Sequence, residues 1–321
     1  MIDHVPQPCT DSRVGASLGF IQPTVLTAGI RGAAPGRFLP GGTAPGSHRA
    51  KVAIDSGFQR RGADVVVNGR ERRLQRLLPT RSGRTVLLPI DQPVTLGPIR
   101  GLTDIDQALP VLLEGAPTAV IAHRGVIRRV PVELSERIGL VMHLSVGTSL
   151  SGRGHVKVPS STVVEAVRLG ADAVSVQVTF GAPEELTMLT ELARVVDACA
   201  EWGMPVLAMT YVHGVDPTAE PAKVAHAARV AAELGSDIVK VPWTGTPDSF
   251  EEVVTGCFAP VVVAGGEQAD QWEAVPSMVK DAMSVGAAGT CVGRNIFQHH
   301  DPGQALAQLR AAVHDGSGEH R

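Results

Sequence analysis

The stretch SDIVKVPWTG, Ser236 to Gly245, sets one of only five lysines in the chain, Lys240, inside an apolar run. A lysine among Ile and Val has to be neutralised, paired or used. If it faces an enclosed interior, desolvation disfavours the ammonium and is expected to lower its pKa. An amine that is partly neutral near pH 7 attacks a ketone and forms an imine, which withdraws electrons from the neighbouring carbon–carbon bond. For the lysine taken alone, an outward orientation or a structural ion pair with Asp91 is an equal alternative. Two companions favour chemistry. Asp91 closes one apolar run, and Tyr211, the only tyrosine, closes the run before the lysine-bearing one. A carboxylate or phenol within reach of the amine moves protons on and off a carbinolamine and an aldol oxygen. Each has a plainer reading by itself, Tyr211 as packing and Asp91 as a helix cap.

Other polar groups close further apolar runs. Gly265 and Gly266 in AGGE, and Gly293 with Arg294 in VGRN, form two glycine turns, the second with a cation. Glycines let backbone N–H groups approach an anion, and arginine adds a charge-assisted contact, so these four residues are candidate phosphate ligands. Tight turns alone would also use glycine. His123, His143 and Gln177 stand at other run ends, and Trp243 follows the lysine; all four are candidate substrate contacts. Asp91 with His123 and His143 raises a metal as an alternative, but no HxH pair accompanies them, and a metal would make Lys240 superfluous. The reading therefore assigns no metal and no cofactor, only a covalent lysine imine. His299 and His300 read as solvated.

The elements that must carry these groups are eight short runs: 85–91, 118–125, 139–145, 173–180, 205–211, 237–245, 260–267 and 289–297. Each is bounded by Gly, Pro or polar residues, as strands buried on both faces of a parallel sheet are. Between them lie helical patterns with start and stop signals. One begins at Pro183, repeats apolar residues at Leu186, Leu189, Leu192, Val196 and Cys199, and stops at Gly203; another runs from Pro221 to Gly235. Eight strand–helix units in roughly 230 residues predict an α/β fold, a closed (β/α)8 TIM barrel, with a doubly wound open sheet as the rival. In such a barrel the C-terminal strand ends carry the chemistry. Residues 1–67, rich in Gly, Pro and Ala without periodicity, are expected to be a poorly ordered extension or a start-site artefact. The barrel is assigned to 68–315 and a tail to 316–321.

Bulk properties bound the partners. The 321 residues carry a formal charge of −3 and no basic block, which argues against a nucleic-acid surface. No apolar run has membrane-spanning length, and the N-terminus lacks a signal-peptide layout. Cys9, Cys199, Cys257 and Cys291 are scattered without metal-ligand spacing, and read as small core residues of a reducing, cytoplasmic protein.

With these residues in place, the chain from about 68 to 315 resembles the archaeal-type class I, Schiff-base aldolases, and within them the 2-amino-3,7-dideoxy-D-threo-hept-6-ulosonate synthase branch and related actinobacterial aldolases. The resemblance rests on GRTVLLPIDQPVTLGPIRGL, GADAVSVQV, WGMPVLAMTY, AAELGSDIVKVPWTG, APVVVAGGE and GAAGTCVGRNIFQH. It implies Lys240 as the imine lysine, Tyr211 and Asp91 as acid–base groups, and Gly265, Gly266, Gly293 and Arg294 as phosphate ligands. It further implies a phosphorylated small-molecule substrate and a metal-free homo-oligomer, a decamer in many members. The chain departs from the family where Asp91-Gln92-Pro93 replaces Asp-His-Gly and where Val212-His213 replaces Pro-Arg. The expected activity joins a phosphorylated ketose or dihydroxyacetone phosphate to an aldehyde, with L-aspartate semialdehyde as preferred acceptor and fructose-bisphosphate aldolase activity as runner-up. An autoinducer-sugar thiolase and a non-catalytic phosphometabolite-binding barrel are the competitors.

Overall fold

The computed structural model describes residues 68–314. The expected extension over 1–67 and the tail over 316–321 lie outside the described residues. Among the described residues ten strands occur in chain order: β1 (Thr85–Pro89), β2 (Ala119–Ala122), β3 (Gly139–His143), β4 (Ser145–Val146), β5 (Val158–Pro159), β6 (Ala173–Phe180), β7 (Val206–Val212), β8 (Ile238–Val241), β9 (Val261–Ala264) and β10 (Gly289–Cys291). Eight of them close a barrel in the order β1-β2-β3-β6-β7-β8-β9-β10, with β10 returning to β1. Every pairing around this ring is parallel. Each barrel strand coincides with one of the eight apolar runs, so the barrel reading holds and the open sheet does not.

Burial on both faces explains the near-continuous apolar character of these strands, and parity separates the faces. Val86 and Leu88, Val120 and Ala122, Leu140 and Met142, Val174 and Val176, Val239 and Val241 join the outer core against the helices. Their alternates Leu87, Ala119, Ile121, Val141, Ala173, Leu207, Met209, Ile238, Val262 and Cys291 fill the barrel interior. Among the helices, Glu185–Trp202 ends on Gly203 in the left-handed region at φ 57°, and Pro221–Glu233 begins on its proline, as their start and stop signals predict.

Periodicity did not single out the helix Gly69–Leu77, which closes the N-terminal end of the barrel. Asn68 and Glu71 form a reciprocal capping box at its start. Its Leu74, Leu77 and the following Leu78 pack into the interior cluster from below. Its arginines latch it in place. Arg70 pairs with Asp237 at 2.7 Å and Arg76 with Asp172 at 2.7 Å, the residues just before β8 and β6. Arg73 donates to the carbonyls of Trp202 and Gly203 at 2.9 and 2.8 Å. The other unforeseen element is the antiparallel β4–β5 pair, which raises a loop over 147–157 above the opposite, C-terminal end. No helix among the described residues is long and apolar enough to cross a membrane.

Candidate active site

In six of the eight barrel strands the interior rank continues past its last apolar residue into a polar one, and in β9 and β10 it runs into the glycine turns. Leu87 leads by twos to Asp91, Ile121 to His123, Val141 to His143, Ala173 to Gln177, Met209 to Tyr211 and Ile238 to Lys240. One periodicity therefore fills the barrel below and lines its mouth above. Lys240 is 4 % exposed, and its Cα is in register with Met209 on β7 and Val262 on β9.

The Lys240 side chain is in polar contact with the Tyr211 phenol and the Cys291 thiol, with the Asp91 carboxylate in electrostatic reach. Burial pulls its pKa down, but Cys291, Tyr211 and Asp91 together push it up by more, and the balance lies above the ordinary lysine value. This corrects the expectation of a lowered pKa. The Asp91 carboxylate opposes the charge, and the Tyr211 phenol and Cys291 thiol accept hydrogen bonds from it, so the ammonium is kept even out of water. The amine rests protonated and must shed a proton before it can attack. Cys291, which sequence placed only as a core residue, is buried as expected and also touches the amine. Burial lifts its pKa to about 11, so it rests as the thiol.

His143 is buried and shares a 2.7 Å hydrogen bond between Nδ1 and Ser175 Oγ. Its Nε2 lies 4.0 Å from Asp91 Oδ2. Burial, reinforced by His123, Lys157 and Lys240 against the pull of Asp91, drives its pKa down to about 4. At neutral pH the imidazole is uncharged, and the contact with Asp91 is not an ion pair. His123 stacks edge-on to His143 with ring centroids 5.2 Å apart, and burial lowers its pKa too. The Oδ1 atom of Asp91 is buried without a hydrogen-bond partner, an acceptor facing the same space. Among the described residues, no group of three or more His, Cys, Asp or Glu converges as metal ligands would.

The four proposed phosphate ligands adjoin one another at the ends of β9 and β10. Gly266 is exposed with φ +67°, open space lies where a Cβ would stand, and the Arg294 guanidinium donates to its carbonyl at 3.2 Å. A Cβ on Gly293 would lie 2.3 Å from the Pro89 carbonyl oxygen, so this turn passes flush against the end of β1. Sequence reading overlooked Asn295, whose buried amide donates to the carbonyls of Gly265 and Glu267, both at 2.9 Å, and accepts from Ala269 N–H at 2.8 Å. The only signal was its place two residues after Gly293. Gln177 faces the mouth with its amide near Thr179 Oγ1 at 3.5 Å. Trp243 does not join the group. Its ring packs 5.0 Å from Phe250 within the outer core, because the chain has turned outward beyond β8. A concavity of about 660 Å³ lies on the outer flank of the β9 and β10 loops, among Arg100, Trp272, Asn295 and His299; Lys240 is not part of it.

Lys157, also overlooked, lies in the β4–β5 loop and is 8 % exposed. Its ammonium donates to Thr95 Oγ1 at 3.3 Å, and it interacts electrostatically with Asp91, His123 and His143. Loop residues carry no periodicity from which burial could be read.

Against known proteins, the family profile described as DeoC/LacD family aldolase matches residues 85–299. A Streptomyces griseus protein named 2-amino-4,5-dihydroxy-6-oxo-7-(phosphonooxy)heptanoate synthase is 36 % identical over 248 residues, covering 77 % of this chain and 90 % of the relative. The 2-amino-3,7-dideoxy-D-threo-hept-6-ulosonate synthase 1 of Archaeoglobus fulgidus is 39 % identical over 247 residues, covering 77 % and 91 %. A solved archaeal fructose-1,6-bisphosphate aldolase, with its catalytic lysine covalently bound to the carbinolamine intermediate of the substrate, superposes with a TM-score of 0.69 at 29 % identity, covering 77 % of this chain and 99 % of that one.

Proposed function

This chain belongs to the DeoC/LacD family of aldolases, and on that premise we propose that Lys240 is its imine-forming residue, with Tyr211 and Asp91 as the groups that move protons. Lysine-based aldolase chemistry is seen in the solved archaeal fructose-1,6-bisphosphate aldolase described above, whose catalytic lysine is covalently bound to the carbinolamine intermediate. The observation that carries the residue assignment is one contact set: a buried lysine on β8, in polar contact with a phenol on β7 and within electrostatic reach of a carboxylate at the end of β1.

In this reading a phosphorylated ketone, dihydroxyacetone phosphate or a ketose phosphate, binds with its phosphate on Gly265, Gly266, Gly293 and Arg294. The Lys240 ammonium passes one proton to the Asp91–Tyr211 pair, and the freed amine adds to the ketone carbon. The carbinolamine oxygen takes up a proton and leaves as water, giving the iminium. Loss of a proton from the adjacent carbon, or cleavage of its bond to the next carbon, delivers an electron pair to the iminium and forms the enamine. The enamine carbon then attacks an aldehyde, whose oxygen receives a proton from the same pair. Hydrolysis of the new iminium returns the amine. The unpartnered Oδ1 of Asp91 supports its part, since it can accept from a substrate hydroxyl without giving up an existing bond.

L-aspartate semialdehyde is the proposed acceptor. Its four carbons joined to the three of dihydroxyacetone phosphate give a seven-carbon acid with 2-amino, 4,5-dihydroxy, 6-oxo and 7-phosphonooxy groups, the pattern in the name of the Streptomyces griseus relative. Glyceraldehyde 3-phosphate is the second reading, favoured by the likeness to the archaeal fructose-bisphosphate aldolase. We read the working enzyme as a homo-oligomer, which sedimentation of the purified chain checks. The defining experiment is borohydride reduction in the presence of dihydroxyacetone phosphate, followed by peptide mass analysis. A stable adduct on Lys240, absent from Lys240→Met along with turnover, is the expected result. An adduct on another lysine, or full activity of Lys240→Met, refutes the assignment; binding with no adduct favours a sensor.

A further inference from the structure

We infer that Lys157 is the counter-charge for the acceptor, binding an anionic group, carboxylate or phosphate, on the incoming aldehyde. The inference rests on the aldolase reading above. Counting around the closed ring, β2 stands opposite β8, and the connection from β3 to β6 stands opposite the β9 and β10 loops. That connection carries Lys157 over the β1–β3 side of the mouth, where its charge acts on Asp91, His123 and His143. A donor held by its phosphate at β9 and β10 and by its carbonyl at β8 leaves this arc as the direction from which the second substrate must come. Asp91 is within electrostatic reach of both lysines.

The state of the Lys157 ammonium points to a ligand. It has three protons to donate, and among the described residues one neutral acceptor receives them, Thr95 Oγ1 at 3.3 Å, with no carboxylate close enough to pair. A buried cation left so lightly satisfied is costly unless something else completes its shell. The loop that carries it is tied on both sides of the mouth. Ser149 Oγ donates to the Thr95 carbonyl at 2.8 Å, and Thr179 Oγ1 donates to the His155 carbonyl at 2.8 Å. Gly147 allows its close fold, since a Cβ there would stand 2.2 Å from the Val156 carbonyl oxygen. The lysine is held in place before substrate arrives, so little ordering cost falls on binding.

The test compares wild type with Lys157→Met and Lys157→Arg, using dihydroxyacetone phosphate as donor and three acceptors: L-aspartate semialdehyde, glyceraldehyde 3-phosphate and uncharged D-glyceraldehyde. Loss of one charge-assisted contact predicts a fall in kcat/KM of about 10- to 100-fold for Lys157→Met with an acceptor that carries the recognised carboxylate or phosphate. The fall should reside in the acceptor KM, with uncharged D-glyceraldehyde changed by no more than about twofold. Lys157→Arg should recover part of the preference. A fall confined to the semialdehyde or to the phosphate identifies which anion is recognised. Equal losses for charged and uncharged acceptors, or no loss, overturn the inference. The borohydride adduct separates the two hypotheses. If wild type forms none on Lys240, the aldolase reading has failed; if it forms and acceptor discrimination does not change, only Lys157 has been misassigned. Loss of the adduct in both Lys157 variants assigns the loop a structural role and also overturns the inference.

Discussion

His143 offers a quantitative check on the interior of the mouth. Its pKa falls from 6.5 to about 4 on folding, chiefly through burial. Between those values the unfolded chain binds a proton that the folded chain refuses, so stability rises with pH across the window and falls on acidification. The difference between 6.5 and about 4 is worth about 3 kcal/mol in full. At pH 4.5, about 2–3 kcal/mol of it should already be lost relative to pH 7.5. His143→Gln removes the titration while retaining a polar side chain beside Ser175. Urea unfolding at pH 7.5 and 4.5 should show the variant losing about 2–3 kcal/mol less than wild type on acidification, whatever its stability at the higher pH. Carboxylates away from His143 titrate alike in both proteins and cancel in the comparison, Asp91 beside the imidazole cancels only in part, and His123 adds the same sign to both. Equal acid losses would show that this imidazole is protonated freely in the folded state. The burial of His143 beside Lys240 would then not hold in solution.

Tyr211→Phe should slow turnover by roughly 10²- to 10⁴-fold, the worth of a positioned acid–base group, while borohydride still traps donor on Lys240; an unchanged rate moves the role to Asp91 or water. Gly293→Ala forces a Cβ to within 2.3 Å of a backbone oxygen on β1. It should cost about 1–3 kcal/mol in urea unfolding and raise the donor KM, and normal values of both would separate this turn from the phosphate. Asn295→Ala strands two carbonyls and one N–H of the β9 loop. A loss of about 2–4 kcal/mol with weakened phosphate competition is expected, and unchanged competition by inorganic phosphate would free Asn295 from the site.

The sequence by itself determined the barrel and most of the rim. Eight Val- and Ile-rich runs separated by capped helices admit few other architectures. Once alternation along a strand is accepted, Leu87 leads to Asp91 and Met209 to Tyr211 without coordinates. Trp243 broke the pattern because it lies beyond the end of β8, where alternation no longer governs direction and Phe250 offers an apolar partner. The helix Gly69–Leu77 has a local start signal in Asn68 and Glu71 but is too short for a sustained apolar period, and the groups that fix it to the barrel, Asp172, Asp237 and the carbonyls of Trp202 and Gly203, are remote in the chain. Only the tertiary structure decided the charge states. Lys240 alone on a strand predicts a depressed pKa, and it is Asp91, Tyr211 and Cys291, arriving from three other strands, that reverse the direction. Lys157 likewise became visible only when the β4–β5 loop folded over the mouth. Periodicity is a local property and survives in the sequence, whereas electrostatic environment is a sum over neighbours that only ring closure brings together.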